Sequence, residues 1–316
     1  MGGGTDLDWF VNAEGYGYSL GFAINSYSNI VGMLKPNISQ IGVLNYSSRE
    51  EYRDIRTISH PLFREALIKF DLKVPLELCS LGAPSGGHGL GGSSSFLNAL
   101  ISILCALTKK NMTKLEIADL ACKIEIDVLH NNIGRQDQYL SALGGVNTLK
   151  FDRNGVVRIL KNINVTAEVE ELVSTRIFII DSGIKRSASA VLAKVRNSSN
   201  SLRSLILIRS IFENLMNELD DPNIDIKESI LTSVYNSWSI KREMDGVMNS
   251  DLIEISNFLY SHNINVLKLI GAGGGGYFLA ESLNKDEAIR FCNANNLRTM
   301  DFSIDYNGLS TRCIAT

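Results

Sequence analysis

The sequence predicts an α+β protein of two domains, and three observations support this class. Segments with alternating apolar residues, such as 18–24 and 29–34, predict strands early in the chain, and helical periodicity dominates from residue 94 to about residue 130. The chain closes in the order strand, glycine loop, strand, helix and strand. With 316 residues, 45% of them hydrophobic, it is long enough for one large or two ordinary domains with cores of their own.

The first domain is predicted to span residues 1–165. A helix over residues 60–70 follows the first strands, and the segment "NTLKFDRNGVVRILK" alternates on both sides of Asn154-Gly155. This dipeptide is typical of hairpin turns because both residues tolerate positive φ. We therefore expect a hairpin that closes the first domain.

The second domain is predicted to span residues 166–316. The segment "RIFIID" predicts a strand, a helix begins near Arg186, and two or three further helices lie between residues 201 and 262. The segments "VLKL" and "YFLA" predict two strands around "GAGGGG", and a helix over residues 285–295 leads to a last strand, "LRTMDFSI".

The composition favours small ligands over nucleic acid or membrane partners. A net charge of −3 and a pI near 5.9 argue against binding to duplex nucleic acid.

The sequence shows neither a secretion signal nor an apolar run of about 18 residues, which predicts a cytoplasmic protein. The cysteines are odd in number and form no C-x-x-C pair, so we expect buried thiols rather than disulfides or metal ligands. The oligomeric state is not indicated.

The segment "SGGHGLGGSSSF", residues 85–96, predicts a phosphate-binding loop. Its five glycines lead into an apolar run that is too short to cross a bilayer and predicts a buried helix. Ser93, Ser94 and Ser95 would lie in the first turn, where free amides and the positive end of the helix dipole favour an anion. Hydroxyl groups at this position can also cap the helix or bind a metal ion.

Other interpretations of this loop stay open from its residues alone. Glycine and serine also form flexible connections. A P-loop needs a lysine, which this segment lacks. The G-x-G-x-x-G spacing of Gly87, Gly89 and Gly92 fits a dinucleotide site, but the region near Glu116 predicts a helix rather than the end of a second strand.

Glycine clusters occur three times, as "MGGGTD", "GGHGLGGSSS" and "KLIGAGGGGYFLA". Each alone could be a tight turn, but glycine between two strands indicates the close approach of a ligand or another backbone. Together with the segments "GRQDQYLSALGG" and "SGIKRSAS", the clusters resemble the motifs of the GHMP kinases. Within that family they most resemble the bacterial D-glycero-D-manno-heptose 7-phosphate kinases, and the resemblance runs from Gly2 to the end of the chain.

The resemblance implies the two-domain GHMP kinase fold, with an N-terminal α/β domain that carries the phosphate loop and a C-terminal ferredoxin-like domain. It implies a kinase that uses ATP and Mg²⁺ to phosphorylate the anomeric hydroxyl of D-glycero-D-manno-heptose 7-phosphate to the 1,7-bisphosphate, for surface polysaccharide synthesis. Within the same family the acceptor could instead be another sugar, such as fucose or galactose.

The resemblance also implies roles for individual residues. Asp137 corresponds to the aspartate that orients or deprotonates the acceptor hydroxyl. Mg²⁺ would be bound by Ser93 and Glu125. The acceptor would be bound by Asp6, Arg186 and Gly271, with Arg186 pairing with the phosphate that the acceptor carries. The ATP phosphates would be bound by residues of two glycine loops, namely Gly89, Leu90, Gly91, Gly92, Ser93, Ser94, Ser95, Gly273 and Gly274.

Each of these polar residues also has a structural interpretation. Asp137 could be a helix-capping carboxylate, and Asp6 could be an exposed turn residue near the terminus. Arg186 could be a surface charge, and Glu125 a solvated carboxylate on a helix. Lys268, which precedes the last glycine cluster, could support that loop or lie solvated at a strand edge.

Two departures from the family pattern bear on activity. Four residues, "SGGH", separate Pro84 from "GLG" where the family has three, and Gly92 replaces the first serine of the loop. The family's first strand, with a basic residue that assists the catalytic aspartate, precedes "GGGTD", whereas Met1 lies at the start of this motif. The functional start could lie upstream, or the chain could be a truncated and impaired enzyme, because losing one cationic contact to a transition state costs about 2 to 4 kcal/mol.

Two other classes of protein compete with the kinase. One is a binding protein for a nucleotide or sugar phosphate without turnover, and the other is a dinucleotide-dependent oxidoreductase. Stabilisation by ATP or by NAD, together with an assay for turnover, would separate the three classes.

Overall fold

A computed structural model describes residues 5–34, 41–72, 75–82, 89–160, 163–185, 187–219 and 221–313. The helices are α1 (Asp8–Glu14), α2 (Pro61–Phe70), α3 (Gly92–Thr108), α4 (Lys114–Cys122), α5 (Gln136–Leu143), α6 (Ile163–Thr175), α7 (Ala188–Asn197), α8 (Ser201–Glu218), α9 (Ile226–Lys241), α10 (Ser250–Tyr260) and α11 (Lys285–Ala294). The strands are β1 (Tyr16–Phe22), β2 (Asn29–Leu34), β3 (Gly42–Asn45), β4 (Arg49–Tyr52), β5 (Leu76–Leu81), β6 (Val146–Asp152), β7 (Val157–Leu160), β8 (Ile177–Asp181), β9 (Asn265–Leu269), β10 (Tyr277–Glu281) and β11 (Thr299–Met300). A 3₁₀ helix spans Ile55–Thr57, and a π-helix spans Lys123–Val128.

The strands of the described residues form three sheets. One is antiparallel, in the order β1-β6-β7, and another is antiparallel in the order β11-β8-β10-β9. The third has the order β2-β5-β3-β4, with β3 parallel to β5 and the other pairs antiparallel. Mostly antiparallel sheets with helices between them confirm the predicted α+β class.

The predicted hairpin at Asn154-Gly155 is confirmed, and the predicted last strand is wrong in length. β6 and β7 pair across a turn in which Gly155 has a φ of +77°. Only Thr299–Met300 of "LRTMDFSI" pairs with β8. Beyond it the backbone turns to the segment that follows β1, where the Asn25 amide donates to the Ser303 carbonyl at 3.1 Å. The apolar pattern of this segment therefore serves two different neighbours.

The apolar run after the glycine loop forms the buried helix that its sequence predicts. α3 begins at Gly92, so Ser93, Ser94 and Ser95 lie in its first turn as expected. Its fully buried side chains pack with those of α2 and β5 in one apolar cluster. Because the apolar face of α3 packs in this core, the direction of its N-terminus is fixed.

The two predicted domains pack against each other through a shared core. Phe10 and Phe151 belong to the same apolar cluster as Phe178 and Phe278, so side chains from both sides of the predicted boundary at residue 165 are in one core. The boundary itself stays a prediction.

The cysteines are free, as predicted, but they are not all buried. Cys105, Cys122 and Cys292 are buried and Cys79 is partly buried, whereas Cys313, near the C-terminus, is exposed. Within the described part of the chain, the helices are too short or too polar to cross a bilayer.

Candidate active site

The glycine loop before α3 brings backbone close to Asp137. Gly89 and Gly91 have φ values of +90° and +69°, and Gly91 is the N-cap residue of α3. A methyl group on Gly91 would lie 3.3 Å from the Asp137 Cβ. Because Gly91 carries no side chain, the positive end of the α3 dipole opens toward this carboxylate and the space beside it. Pro84 and residues 85–88 of the loop lie outside the described residues.

Asp137 lies in the first turn of α5, and its N-cap interpretation is wrong. The N-cap residue of α5 is Arg135, and the helix begins at Gln136. The amide at the helix start is instead bonded by a distant carboxylate, because the Gln136 N–H donates to Asp6 Oδ2 at 2.9 Å. Asp137 is therefore an acidic residue of the first turn, not the residue that caps the helix.

Asp6 is buried, so its interpretation as an exposed turn residue is also wrong. Only 1% of the residue is exposed, and burial raises the pKa of its carboxyl group although backbone hydrogen bonds oppose the shift. A methyl group on Gly134 would lie 2.0 Å from Asp6 Oδ2, which explains the glycine there. Asp6 Oδ1 is buried and has no hydrogen-bond partner among the described residues. A sugar hydroxyl is the kind of donor that such an oxygen lacks.

The segment that carries Asp6 is joined to the start of α5 at three places. Besides the Asp6 bond, Leu7 forms an antiparallel bridge with Gly134. The Arg135 guanidinium forms a salt bridge with Asp8 at 2.8 Å. These contacts hold Asp6 and the Asp137 helix in one rigid unit.

Glu125 is a buried carboxylate, not the solvated one that its helical pattern allowed. It lies in the π-helix, is 1% exposed, and its Oε2 accepts from Gln138 Nε2 at 2.6 Å and from Ser94 Oγ at 3.3 Å. Burial raises the pKa of this carboxyl group, and hydrogen bonds from Gln138, Ser93 and Ser94 act against that shift. Ser93 and Glu125, which the family resemblance implies as metal ligands, are therefore neighbours. Within the described residues, no group of three or more His, Cys, Asp and Glu side chains is arranged to hold a metal ion.

The glycine loop between β9 and β10 contacts protein backbone. Gly274 donates its N–H to the Val247 carbonyl at 2.7 Å, and a methyl group on Gly273 would lie 2.9 Å from Val247 Cα. Gly271, at the start of this loop, instead faces open space beside Asp137. The structure thus brings Gly271 to Asp137 and holds Gly273 and Gly274 against the segment before α10.

Two cavities meet at Asp137, one of about 440 Å³ and one of about 370 Å³. Both are lined by Gly89, Gly91, Gln136, Asp137 and Gly271. The larger cavity is also lined by Leu90, Ser95 and Lys268. The smaller cavity is also lined by Asp6, Gly92, Ser93, Ser94 and Lys241. A ligand in either cavity can therefore contact the same carboxylate.

Two lysines, Lys268 and Lys241, add positive charge to the site of Asp6 and Asp137. Lys268, in β9, is partly buried; burial lowers the pKa of its ammonium group, and the charges of Asp137 and Asp6 oppose that shift. Lys241, at the end of α9, is 7% exposed and donates to the Gly271 carbonyl at 2.6 Å. Sequence reasoning missed Lys241 because it belongs to no motif; the sequence places it only within residues 201–262, where two or three helices are predicted.

Arg186, the predicted ligand of a substrate phosphate, lies outside the described residues. Its neighbour Ser187 lines the smaller cavity and caps α7, accepting the Ala190 N–H at 3.3 Å. The start of α7 therefore reaches the same cavity as Asp6.

Comparisons with known proteins find kinases that are similar to this chain. Residues 62–145 match the family model described as the GHMP kinases N terminal domain. A D-glycero-alpha-D-manno-heptose 7-phosphate kinase of Campylobacter jejuni is 24% identical, and the match covers 98% of this chain and 95% of that protein. An L-fucokinase/L-fucose-1-P guanylyltransferase of Bacteroides fragilis is 26% identical in the matched region. The match covers 70% of this chain and 23% of that longer protein.

The solved structures show the same fold. The crystal structure of a D-glycero-D-manno-heptose 1-phosphate kinase from Bacteroides thetaiotaomicron superposes with a TM-score of 0.72. The match covers 97% of this chain and 93% of that one, at 18% identity.

Proposed function

We propose that this chain, a member of the GHMP kinase family, transfers the γ-phosphoryl group of ATP to the anomeric hydroxyl of D-glycero-D-manno-heptose 7-phosphate. The chain is a phosphotransferase with a hydroxyl acceptor. The observation that supports the site is the position of Asp137, between the N-terminus of α3 and the cavity that contains Asp6. We name this smaller cavity the acceptor cavity.

The proposed reaction is a direct displacement at phosphorus. The Asp137 carboxylate accepts the proton of the anomeric hydroxyl as the sugar oxygen forms a bond to the γ-phosphorus. The bond between this phosphorus and the bridging oxygen of ATP breaks, and ADP leaves with that oxygen. The amides of Gly89 to Ser94 and the α3 dipole would hold the phosphate oxygens, since a helix N-terminus attracts anions. The Ser95 N–H already donates to the Gly91 carbonyl at 2.9 Å, so Ser95 could contribute only its hydroxyl.

Ser93 and Glu125 fit a magnesium site. One hydroxyl and one carboxylate lie together, and Mg²⁺ takes one or two protein oxygens while it keeps several waters. The ion, when bound, would neutralise charge on the phosphates. Glu125 would then gain a cation to offset the cost of its burial.

The unpartnered Asp6 Oδ1 would accept a hydrogen bond from a sugar hydroxyl in the acceptor cavity. Arg186 would pair with the phosphate of the acceptor, and the cap of α7 beside it adds attraction for an anion. The heptose 7-phosphate kinase of Campylobacter jejuni supports this acceptor because its match covers nearly all of both chains. The fucokinase relative supports L-fucose as a second candidate.

We further propose that the chain acts in the cytoplasm, where ATP is available, and that its product is consumed in the synthesis of nucleotide-activated heptose. The division into domains at residue 165 belongs to the same proposal.

The acceptor is tested by ADP release with ATP and Mg²⁺ across heptose 7-phosphate, unphosphorylated heptose, L-fucose, galactose and mannose. We expect the highest kcat/KM with heptose 7-phosphate. A higher kcat/KM with L-fucose would replace the proposed acceptor, and stabilisation by ATP without turnover of any sugar would favour a binding protein.

The role of Asp137 is tested by Asp137→Asn, which removes the proton acceptor. We expect kcat to fall by about a hundredfold or more while the Kd for ATP changes little. Asp251→Asn is the matched control, because Asp251 holds the same second position in α10 and is exposed. Equal kcat values for the two variants would exclude Asp137 as the base.

A further inference from the structure

Lys241 places a positive charge inside the acceptor cavity. It is the last residue of α9, only 7% of it is exposed, and it lines the cavity together with Asp6 and Asp137. Lysine is almost never this buried unless its charge is compensated, because an ammonium group loses its hydration on burial. The burial of Lys241 therefore calls for partners within the cavity.

Lys241 acts on two groups that line this cavity. The Gly271 carbonyl accepts from Lys241 Nζ at 2.6 Å, and Gly271 has a φ of +77° at the start of its loop. The Asp6 carboxylate lines the same cavity, and the charge of Lys241 favours its ionised form by Coulomb attraction. Lys241 thus holds the last glycine loop by a hydrogen bond and adds positive charge to the cavity that Asp6 lines.

Asp6 needs such a cation if it is to act as a hydrogen-bond acceptor with both oxygens. Its Oδ2 already accepts from the Gln136 N–H, and its Oδ1 is buried without a partner among the described residues. Burial favours the protonated form, in which one carboxyl oxygen is a donor rather than an acceptor. A nearby positive charge counteracts this effect.

We propose that Lys241 is a positioning residue of the acceptor site: its ammonium group holds the Gly271 carbonyl and presents a positive charge to the Asp6 carboxylate in the same cavity, so that Asp6 can accept a hydrogen bond from the acceptor. The effect on the acceptor depends on the proposed kinase function. The effect on the ionisation of Asp6 does not.

Other charged and titratable groups also act on Asp6. Lys268, in β9, and Cys122, in α4, both interact with Asp6 electrostatically, and Lys268 adds positive charge. Asp137 lines the same cavity as Asp6 from α5. Burial raises the pKa of Cys122 well above its ordinary range, so the thiol is neutral at pH 7. Lys241 and Lys268 are therefore the cations to compare, and Asp137 is the like charge.

The first experiment follows the titration of Asp6 in the free protein by NMR of ¹³C-labelled aspartate carboxyl groups, with Asp6→Asn to assign the signal. We expect Lys241→Met to move the midpoint of the Asp6 titration to higher pH and Lys241→Arg to leave it near that of the parent. Lys227→Met is the matched control, because Lys227 lies on the same helix but pairs with Glu171 at the surface, at 2.7 Å. An unchanged midpoint in Lys241→Met would overturn the proposal; Lys241→Gln carries the same test if Lys241→Met does not fold.

The second experiment measures steady-state kinetics with the acceptor that the panel identifies. We expect Lys241→Met to raise the acceptor KM about tenfold or more with little change in the ATP KM, and Lys241→Arg to restore most of the loss. Equal changes in both KM values would assign Lys241 a general structural role and contradict the proposal. If the parent protein phosphorylates no sugar, the proposed function fails, and the titration still decides the effect of Lys241 on Asp6.

Discussion

The glycine loop before α3 and the glycine loop between β9 and β10 have similar composition but different surroundings. In the first, Gly91 packs against the Asp137 side chain and a helix N-terminus opens beside it. In the second, Gly274 and Gly276 donate their N–H groups to the carbonyls of Val247 and Ile184. Dense glycine therefore indicates that another group lies close to the backbone. It does not indicate whether that group is a reactive side chain or the backbone of another segment.

The largest expected effect comes from adding a methyl group to the second loop. In Gly273→Ala the new Cβ would lie 2.9 Å from Val247 Cα, and the φ of +102° is unfavourable for alanine. We expect the free energy of unfolding to fall by about 3 kcal/mol, measured by urea denaturation, with little change in kcat per folded molecule.

Gly183→Ala is the control for this variant, because its φ is also positive, at +70°, but nothing lies within 4 Å of its new Cβ. We expect Gly183→Ala to cost about 1 kcal/mol. If Gly273→Ala costs no more than its control, close packing is not the reason for glycine in the second loop.

A smaller effect, on a different quantity, is expected in the first loop. In Gly91→Ala the new Cβ would meet the Asp137 Cβ at 3.3 Å, which is tight enough to displace the carboxylate by a few tenths of an ångström. We expect kcat to fall about tenfold because a displaced base lowers the rate. The stability cost should stay near that of Gly183→Ala. A large loss of stability with normal kcat in Gly91→Ala would show that glycine has the same structural role in both loops, which contradicts the difference proposed here.

The smallest expected effect concerns His60, which packs against α3, and the dependence of stability on pH. The His60 ring packs against Phe63 and against Phe96 of α3, and burial holds its pKa below the ordinary value of 6.5 although Glu50 opposes the shift. A histidine with a depressed pKa contributes stability above its unfolded pKa and loses it as the pH falls through its folded pKa.

We therefore expect the urea midpoint of the parent to fall more between about pH 7.5 and about pH 5 than that of His60→Gln. His262→Gln, at an exposed histidine, should behave like the parent. Parallel curves for the parent and His60→Gln would show that protonation of His60 does not contribute to the loss of stability in acid.

Local signals in the sequence predicted the first loop, and long-range contacts hid the rest of the site. Glycines followed by an apolar run were enough to predict the helix and its first-turn serines, because adjacent residues form both. The burial of Asp6 was not predictable, because it depends on Gly134 and Gln136 far along the chain.

Lys241 shows the same limit more clearly, since no periodicity relates the end of α9 to Asp6. The π-helix around Glu125 was also hidden, because an ordinary helical pattern does not mark where a helix widens. Class, hairpin and helix order follow from local patterns; the charge pairs of the site follow from the tertiary fold.

The contacts that join Asp6 to Gln136 and Asp8 to Arg135 also affect the order in which the chain folds. They span 130 and 127 residues of sequence, so they form only after the chain has closed a very long loop. Contacts at such separation slow folding, and we expect helices such as α3 to form before them. Asp6 and Asp137 would then become neighbours late in folding, and partly folded molecules, with α3 already in place, would be unable to bind the acceptor.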